Sequence, residues 1–106
     1  MAPAVSRAAT EEQILELAAD AGVKGICVAW ARQLPDAYAI AVPFPSAKDR
    51  WIIICEARWF LEPDLRASTV AHELAHFTAP SDPGHGRAWR RDYRRLLRRA
   101  EEIDWT

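Results

Sequence analysis

From Val70 to Phe77 the chain reads Val-Ala-His-Glu-Leu-Ala-His-Phe. His72 and His76 are four residues apart, so an α-helix sets them on one face, one turn from each other. Two imidazoles so placed can share one Zn²⁺, each nitrogen about 2.0–2.1 Å from the ion. Glu73 is rotated by roughly 100° from His72 about the helix axis. It reaches the edge of such a site without being a ligand, where a general base for a zinc-bound water belongs. Val70, Leu74 and Phe77 recur at the spacing of a buried stripe, so the segment is expected to be helical. The competing reading is a chance match on a solvated or core face. Against it, all three histidines of the chain, His72, His76 and His85, fall in one short window.

Two residues downstream can supply a third ligand. Asp82 follows His76 by six residues, the spacing of the third ligand in the metzincin group. That pattern needs Gly where Ala79 stands and a downstream Met-turn, and the sole methionine is Met1. His85 lies between Gly84 and Gly86, which let the backbone turn back toward a site, and it offers the imidazole nitrogen that zinc commonly takes. His85 is therefore the expected ligand, and Asp82 can then orient an imidazole by a hydrogen bond. Three protein ligands leave the fourth position to water, as catalytic sites require. Tyr93 and the nearer arginines are candidate oxyanion donors, but Tyr93 sits on an apolar helical stripe and is expected to be core.

The elements that must hold these groups can be read in order. A chain of 106 residues supports one domain, 1–106, with one modest core, and residues 1–9 are expected to be flexible. Thr10 and Gln13 have the form of a capping box ahead of a helix over Glu11–Ala21, which Gly22 ends. Lys24 to Arg32 alternates as a strand, Leu34-Pro35-Asp36 turns, and Tyr38, Ile40 and Val42 alternate again. Pro43 and Pro45 end that strand, and Ser46 to Asp49 is the next turn. Trp51 to Cys55 is β-branched and aromatic and should be the best-buried strand. Short connections predict an antiparallel meander. Asp64 is the expected cap of the metal helix, from about Leu65 to Phe77, followed by a loop over Thr78–Gly84. Arg87 to Ile103 forms a last helix with Trp89, Tyr93, Leu96, Leu97, Ala100 and Ile103 on one face.

Composition excludes several classes. Half the residues are hydrophobic and 27 % are charged, which fits a packed soluble domain and not a disordered chain. The net charge of −1 gives no whole-molecule field toward nucleic acid. Two cysteines, Cys27 and Cys55, are too few for a four-Cys zinc ribbon and read first as buried reduced thiols of a cytoplasmic protein, with a disulfide between neighbouring strands as the alternative. No segment has the length of a membrane span and no apolar signal-peptide core opens the chain, so neither membrane nor export is expected. The five tryptophans are expected in the core.

The run His72-Glu73-Leu74-Ala75-His76, a short loop, His85-Gly86 and then Trp89 resembles the SprT-like group of zinc metallopeptidases and its WLM and YgjP-type relatives. The resemblance spans roughly Trp51 to Leu97. It implies Zn²⁺ held by His72, His76 and His85, Glu73 as catalytic base, and a protein or peptide substrate. It also implies a minimal zincin-like α+β domain: an N-terminal helix, a three-stranded mainly antiparallel sheet, the metal helix and a long closing helix. The periodicity above gives the same order of elements. Many members carry a separate DNA-docking module.

The last helix carries Arg87, Arg90, Arg91, Arg94, Arg95, Arg98 and Arg99 on its polar side. A solvated face is the default reading, with Arg98 pairing Glu101 or Glu102. Phosphate contact through Arg90, Arg91, Arg94 and Arg98 is the alternative. The sequence thus supports a zinc metallopeptidase first, and second a nucleic-acid-binding or regulatory module with a structural zinc.

Overall fold

The computed structural model describes residues 7–43, 50–79 and 85–105. It is an α+β domain with elements α1 (Arg7–Asp20), β1 (Ile26–Ala31), β2 (Ala39–Pro43), β3 (Arg50–Cys55), α2 (Glu56–Leu61), α3 (Arg66–Thr78) and α4 (Arg87–Glu101). A short 3-10 turn, Pro63–Leu65, links α2 to α3. Pro45, the Ser46–Asp49 turn, Pro80, Asp82, Pro83 and Gly84 lie outside the described residues.

The first helix begins earlier than the capping box implies. Arg7, Ala8 and Ala9 are already helical, Thr10 is fully buried inside the helix, and the Gln13 side chain donates to the Asp104 carbonyl at 2.8 Å. Alanine at two of those positions favours helix, and Arg7 is tied by an ion pair to Glu56. The far end follows the expectation. Gly22 takes φ 77, while Val23 N–H donates to Ala18 C=O and Gly22 N–H to Ala19 C=O. Those two bonds form a Schellman ending, which turns the chain into β1.

The sheet is mixed, and the meander expectation is corrected. Its strand order is β1-β3-β2, with β3 parallel to β1 and antiparallel to β2. The physical reason lies in β3 itself. Ile52 and Ile54 are 0 % exposed and Cys55 is 3 % exposed. Ile52 and Ile54 share one face, and Trp51, Ile53 and Cys55 make the other face apolar and at least half-buried, so this run sits in the middle of the sheet, and the less buried β1 and β2 take the edges. In this register Cys27 faces Trp51 and Cys55 faces Ala31. The two thiols are therefore about four strand positions apart, roughly 13 Å, too far for a disulfide. Both cysteines are free.

β3 runs straight into α2, a helix of 6 residues that is too short to show a periodicity and has no counterpart in the sequence reading. Its Trp59 is 0 % exposed and meets Trp30, Tyr38 and Trp105 edge-on at 5.8, 6.2 and 5.9 Å. Arg66, the first residue of α3, is buried against it. Its Nε donates to the Trp59 carbonyl at 2.8 Å, its Nη1 to the Trp105 carbonyl at 3.1 Å, and its guanidinium lies 5.3 Å from the Trp59 ring. One buried cation thus joins α2, the start of α3 and the C-terminal segment. Asp64 is exposed in the 3-10 turn, and α3 starts after Leu65 with no side-chain cap, so the expected Asp64 cap is not made.

α3 packs against α4 and touches β2. Val70, Ala71, Leu74 and Ala75 of α3 join Ile14, Leu17, Ile52 and Ile54 in one core with Trp89, Leu96 and Ala100 of α4. Among the described residues no helix is long and apolar enough to cross a membrane. Trp59→Ala should lower the unfolding free energy by about 3–5 kcal/mol, read from the urea midpoint at unchanged slope. A loss below about 1 kcal/mol would contradict the placement of this ring at the hub of the core.

Candidate metal centre

α3 sets His72 and His76 on one face, and the chain returns through His85 to close a triangle. The three ring centroids are 5.1, 4.8 and 4.9 Å apart, and one ligand atom from each residue lies within 4.8 Å of the others. His85 Nε2 and His76 Nε2 are 3.2 Å apart. Two nitrogens on one tetrahedral Zn²⁺ at about 2.05 Å would sit about 3.3 Å from each other. The donor set therefore fits a zinc ion by ligand type, and the His76–His85 pair fits it by spacing as well.

The third imidazole is delivered by an unusual backbone. His85 itself takes the left-handed conformation, φ 59, while Gly86 is extended at the head of α4. The sequence reading assigned the special backbone to the flanking glycines; among the described residues His85 takes it. A non-glycine residue in that region costs about 1–2 kcal/mol. The surroundings hold it there: Arg90 Nε donates to the His85 carbonyl at 3.1 Å, and Arg90 N–H donates to the Gly86 carbonyl at 2.9 Å.

Trp89 packs under all three imidazoles, with centroids 5.0 Å from His72, 5.8 Å from His76 and 4.3 Å from His85. It is 7 % exposed, so the floor of the centre is apolar and dry. Burial, aided by repulsion from His76 and His85, pulls the His72 pKa down to about 4. Burial and His85 lower that of His76. Both rings are thus neutral near pH 7, the form that binds a metal.

Glu73 stands next to the triangle but outside it, 6 % exposed, with Oε2 4.0 Å from His72 Nε2. With His72 neutral this contact is no ion pair. Burial pushes the Glu73 carboxyl up to about 7, opposed by a hydrogen bond from the Ala41 N–H of β2. An open cleft of about 300 Å³ runs beside it. The cleft is bounded by Asp36 to Ala39 before and at the start of β2, by Ser68, Thr69, His72 and Glu73 of α3, and by Tyr93 of α4. Tyr93, expected in the core, both packs on the core and lines this cleft.

Asp92 is a structural support that the sequence reading missed. It is 3 % exposed, and its Oδ2 accepts from Thr78 Oγ1 at 2.7 Å, pinning the end of α3 to α4 two residues beyond His76. Arg91 and Arg95 lie against its other oxygen at 3.3 and 3.5 Å. A carboxylate three residues after Trp89 and four before Leu96 is on the apolar stripe, and that placement was the available signal.

The arginine face forms a second open cleft, about 610 Å³, lined by Arg87, Arg90, Arg91, Arg94, Arg95 and Arg98. The expected pairing of Arg98 with Glu101 or Glu102 is not made among the described residues. Arg99 pairs instead with Asp20 of α1.

No protein-family model matches the chain, and no curated protein or solved structure is significantly similar to it.

The buried carboxyl of Glu73 gives a pH signature in metal-free protein. Its folded pKa is raised from 4.5 to about 7, so the protonated form favours folding and that stability is lost as pH climbs through this window. Glu73→Gln keeps an oxygen for the Ala41 N–H and removes the titration. Relative to wild type, the variant should therefore gain on the order of 3 kcal/mol between pH 4.5 and 8, measured by urea unfolding in chelator. The lowered His72 pKa acts the other way, destabilising the fold as pH drops from 6.5 toward 4. It affects both proteins alike and cancels in the comparison. A difference that does not change with pH would refute the buried-carboxyl assignment.

Proposed function

We propose that the chain is a zinc-dependent metallopeptidase of SprT-like type, acting on protein or peptide substrates in the cytoplasm. The observation that carries the reading is the convergence of His72, His76 and His85 beside a buried Glu73 outside the triangle, with His72 and Glu73 lining one open cleft. Zinc, when bound there, would polarise a substrate carbonyl and make its water acidic. Glu73 takes the proton from the attacking water and returns it to the leaving nitrogen. Burial raises the proton affinity of this carboxyl and a bound cation would lower it, so the two influences oppose each other at the group that must both accept and return the proton. The Ala41 N–H fixes the carboxylate from the side of the sheet, and Trp89 excludes water from beneath the imidazoles. The two free cysteines fit a reducing compartment.

A second reading, a nucleic-acid-binding module with a structural zinc, is favoured by the six-arginine cleft on α4. Among the described residues no fourth protein ligand joins the three histidines, which argues for the first, since structural zinc sites are closed by four. Phosphate contact by Arg90, Arg91, Arg94 and Arg98 is compatible with either.

Glu73→Gln should retain one zinc per chain while hydrolysis of an unstructured peptide falls by about 10²–10⁴-fold. His85→Ala should lose zinc to a chelator far more readily than wild type does. Loss of zinc from the Glu73 variant, or full zinc retention by the His85 variant, would overturn the assignment of roles.

For the arginine face, affinity for a labelled oligonucleotide should fall linearly in log–log form with salt. Arg94→Gln with Arg98→Gln should reduce that slope by about 1.5. Absence of binding at low salt would leave α4 with a solvated face only.

A further inference from the structure

The chemistry above lacks one part. As water adds to a peptide carbonyl, negative charge grows on the carbonyl oxygen, and a fixed hydrogen-bond donor aimed at it is worth a large share of catalysis. Glu73 cannot serve while it accepts a proton. Arg90 is committed to the His85 carbonyl, and Arg66 to the carbonyls of Trp59 and Trp105.

Tyr93 meets the requirement. It follows Trp89 by one helical turn, and its ring stacks on the indole at 5.0 Å with only 6° between the planes. The same ring lies 6.3 Å from His72, nearly perpendicular to it at 76°. Held against both rings, the phenol has little freedom, and it lines the cleft together with His72 and Glu73. Of the other hydroxyls lining the cleft, Tyr38 and Ser68 are engaged, and Thr69 of α3 has a short side chain with no ring to stack and fix it. Tyr38 donates to the Glu62 carbonyl at 2.9 Å, and Ser68 to the Leu65 carbonyl at 3.1 Å. Among the described residues the Tyr93 hydroxyl makes no hydrogen bond, so its O–H is available to a ligand.

We propose that Tyr93 is a catalytic residue that donates its phenol O–H to the substrate carbonyl oxygen as that oxygen becomes an anion; the role rests on the metallopeptidase reading. The phenol keeps its proton throughout. The water oxygen bonds to the carbonyl carbon, Glu73 takes the water proton, and Tyr93 steadies the charge. The C–N bond then breaks and the proton passes from Glu73 to the leaving nitrogen.

The test needs no known substrate. Wild type and Tyr93→Phe are loaded with cobalt(II), and the visible absorption of the metal is titrated with methylphosphonate and, separately, with azide. Methylphosphonate mimics the tetrahedral anion and offers an oxygen for the phenol to reach; azide offers none. Phenylalanine keeps the stack on Trp89, so both proteins should take up one cobalt and bind azide equally. Methylphosphonate should bind the variant roughly ten- to a hundred-fold more weakly, the usual cost of losing a hydrogen bond to a charged group. Equal phosphonate affinity in the two cobalt-loaded proteins overturns the role of Tyr93 and leaves the metal centre standing. An equal loss for azide and phosphonate makes Tyr93 a packing residue only and also overturns it. If wild type takes up no cobalt, the metallopeptidase reading falls and this inference with it.

Discussion

The centre depends on an indole ring lying under three imidazoles at once. Trp89 can occupy that position only because α4 docks along α3, and the dock is fixed by apolar burial and by one polar bond. Leu96 and Ala100 of α4 are buried with Leu74 and Ala75 of α3 in a common core. The Asp92–Thr78 bond then sets the axial register of the two helices close to His76. A buried carboxylate must find partners or destabilise the fold, and Asp92 has them in Thr78 and two flanking arginines. Moving α4 by even a fraction of a turn would separate Trp89 from at least one imidazole and carry His85 away with it.

The charges of the centre work against the fold that holds them. Without metal, burial opposes the charged form of Glu73 and of His72 alike. A cation shared by the imidazoles reverses the logic for the carboxylate, since a positive charge nearby favours its ionised form. A metal bound only by the folded protein would also stabilise it by mass action. Rigidity comes from the frame instead: Arg66 joins α2, α3 and the C-terminal segment through backbone carbonyls.

Much of the site could be read along the chain, and rather less of the packing around it. His72, Glu73 and His76 lie within five consecutive residues, so helical geometry alone relates them. His85 required a judgement on ligand type and turn chemistry, and the structure brings it to the other two histidines. The order of helices and strands followed from local periodicity. The position of β3 between β1 and β2 did not, because strand order depends on which segment most needs both faces covered. α2 was invisible for lack of length. Thr10 and Asp64 looked like caps because they have the right side chains, but residues before Thr10 extend the helix and the 3-10 turn displaces Asp64. Arg66 and Asp92 were overlooked because polar residues are usually solvated, and only tertiary contacts show these two inside.

The left-handed backbone of His85 has a consequence for how the chain can change. Glycine would occupy that conformation without strain, whereas any side chain there is held against its own preference by the Arg90 bond and the packing on Trp89. Selection on stability alone would therefore push position 85 toward glycine, and selection on ligation toward histidine. Were ligation not under selection, the chain would gain from giving up this histidine before the two in α3, whose helical backbone costs nothing to keep.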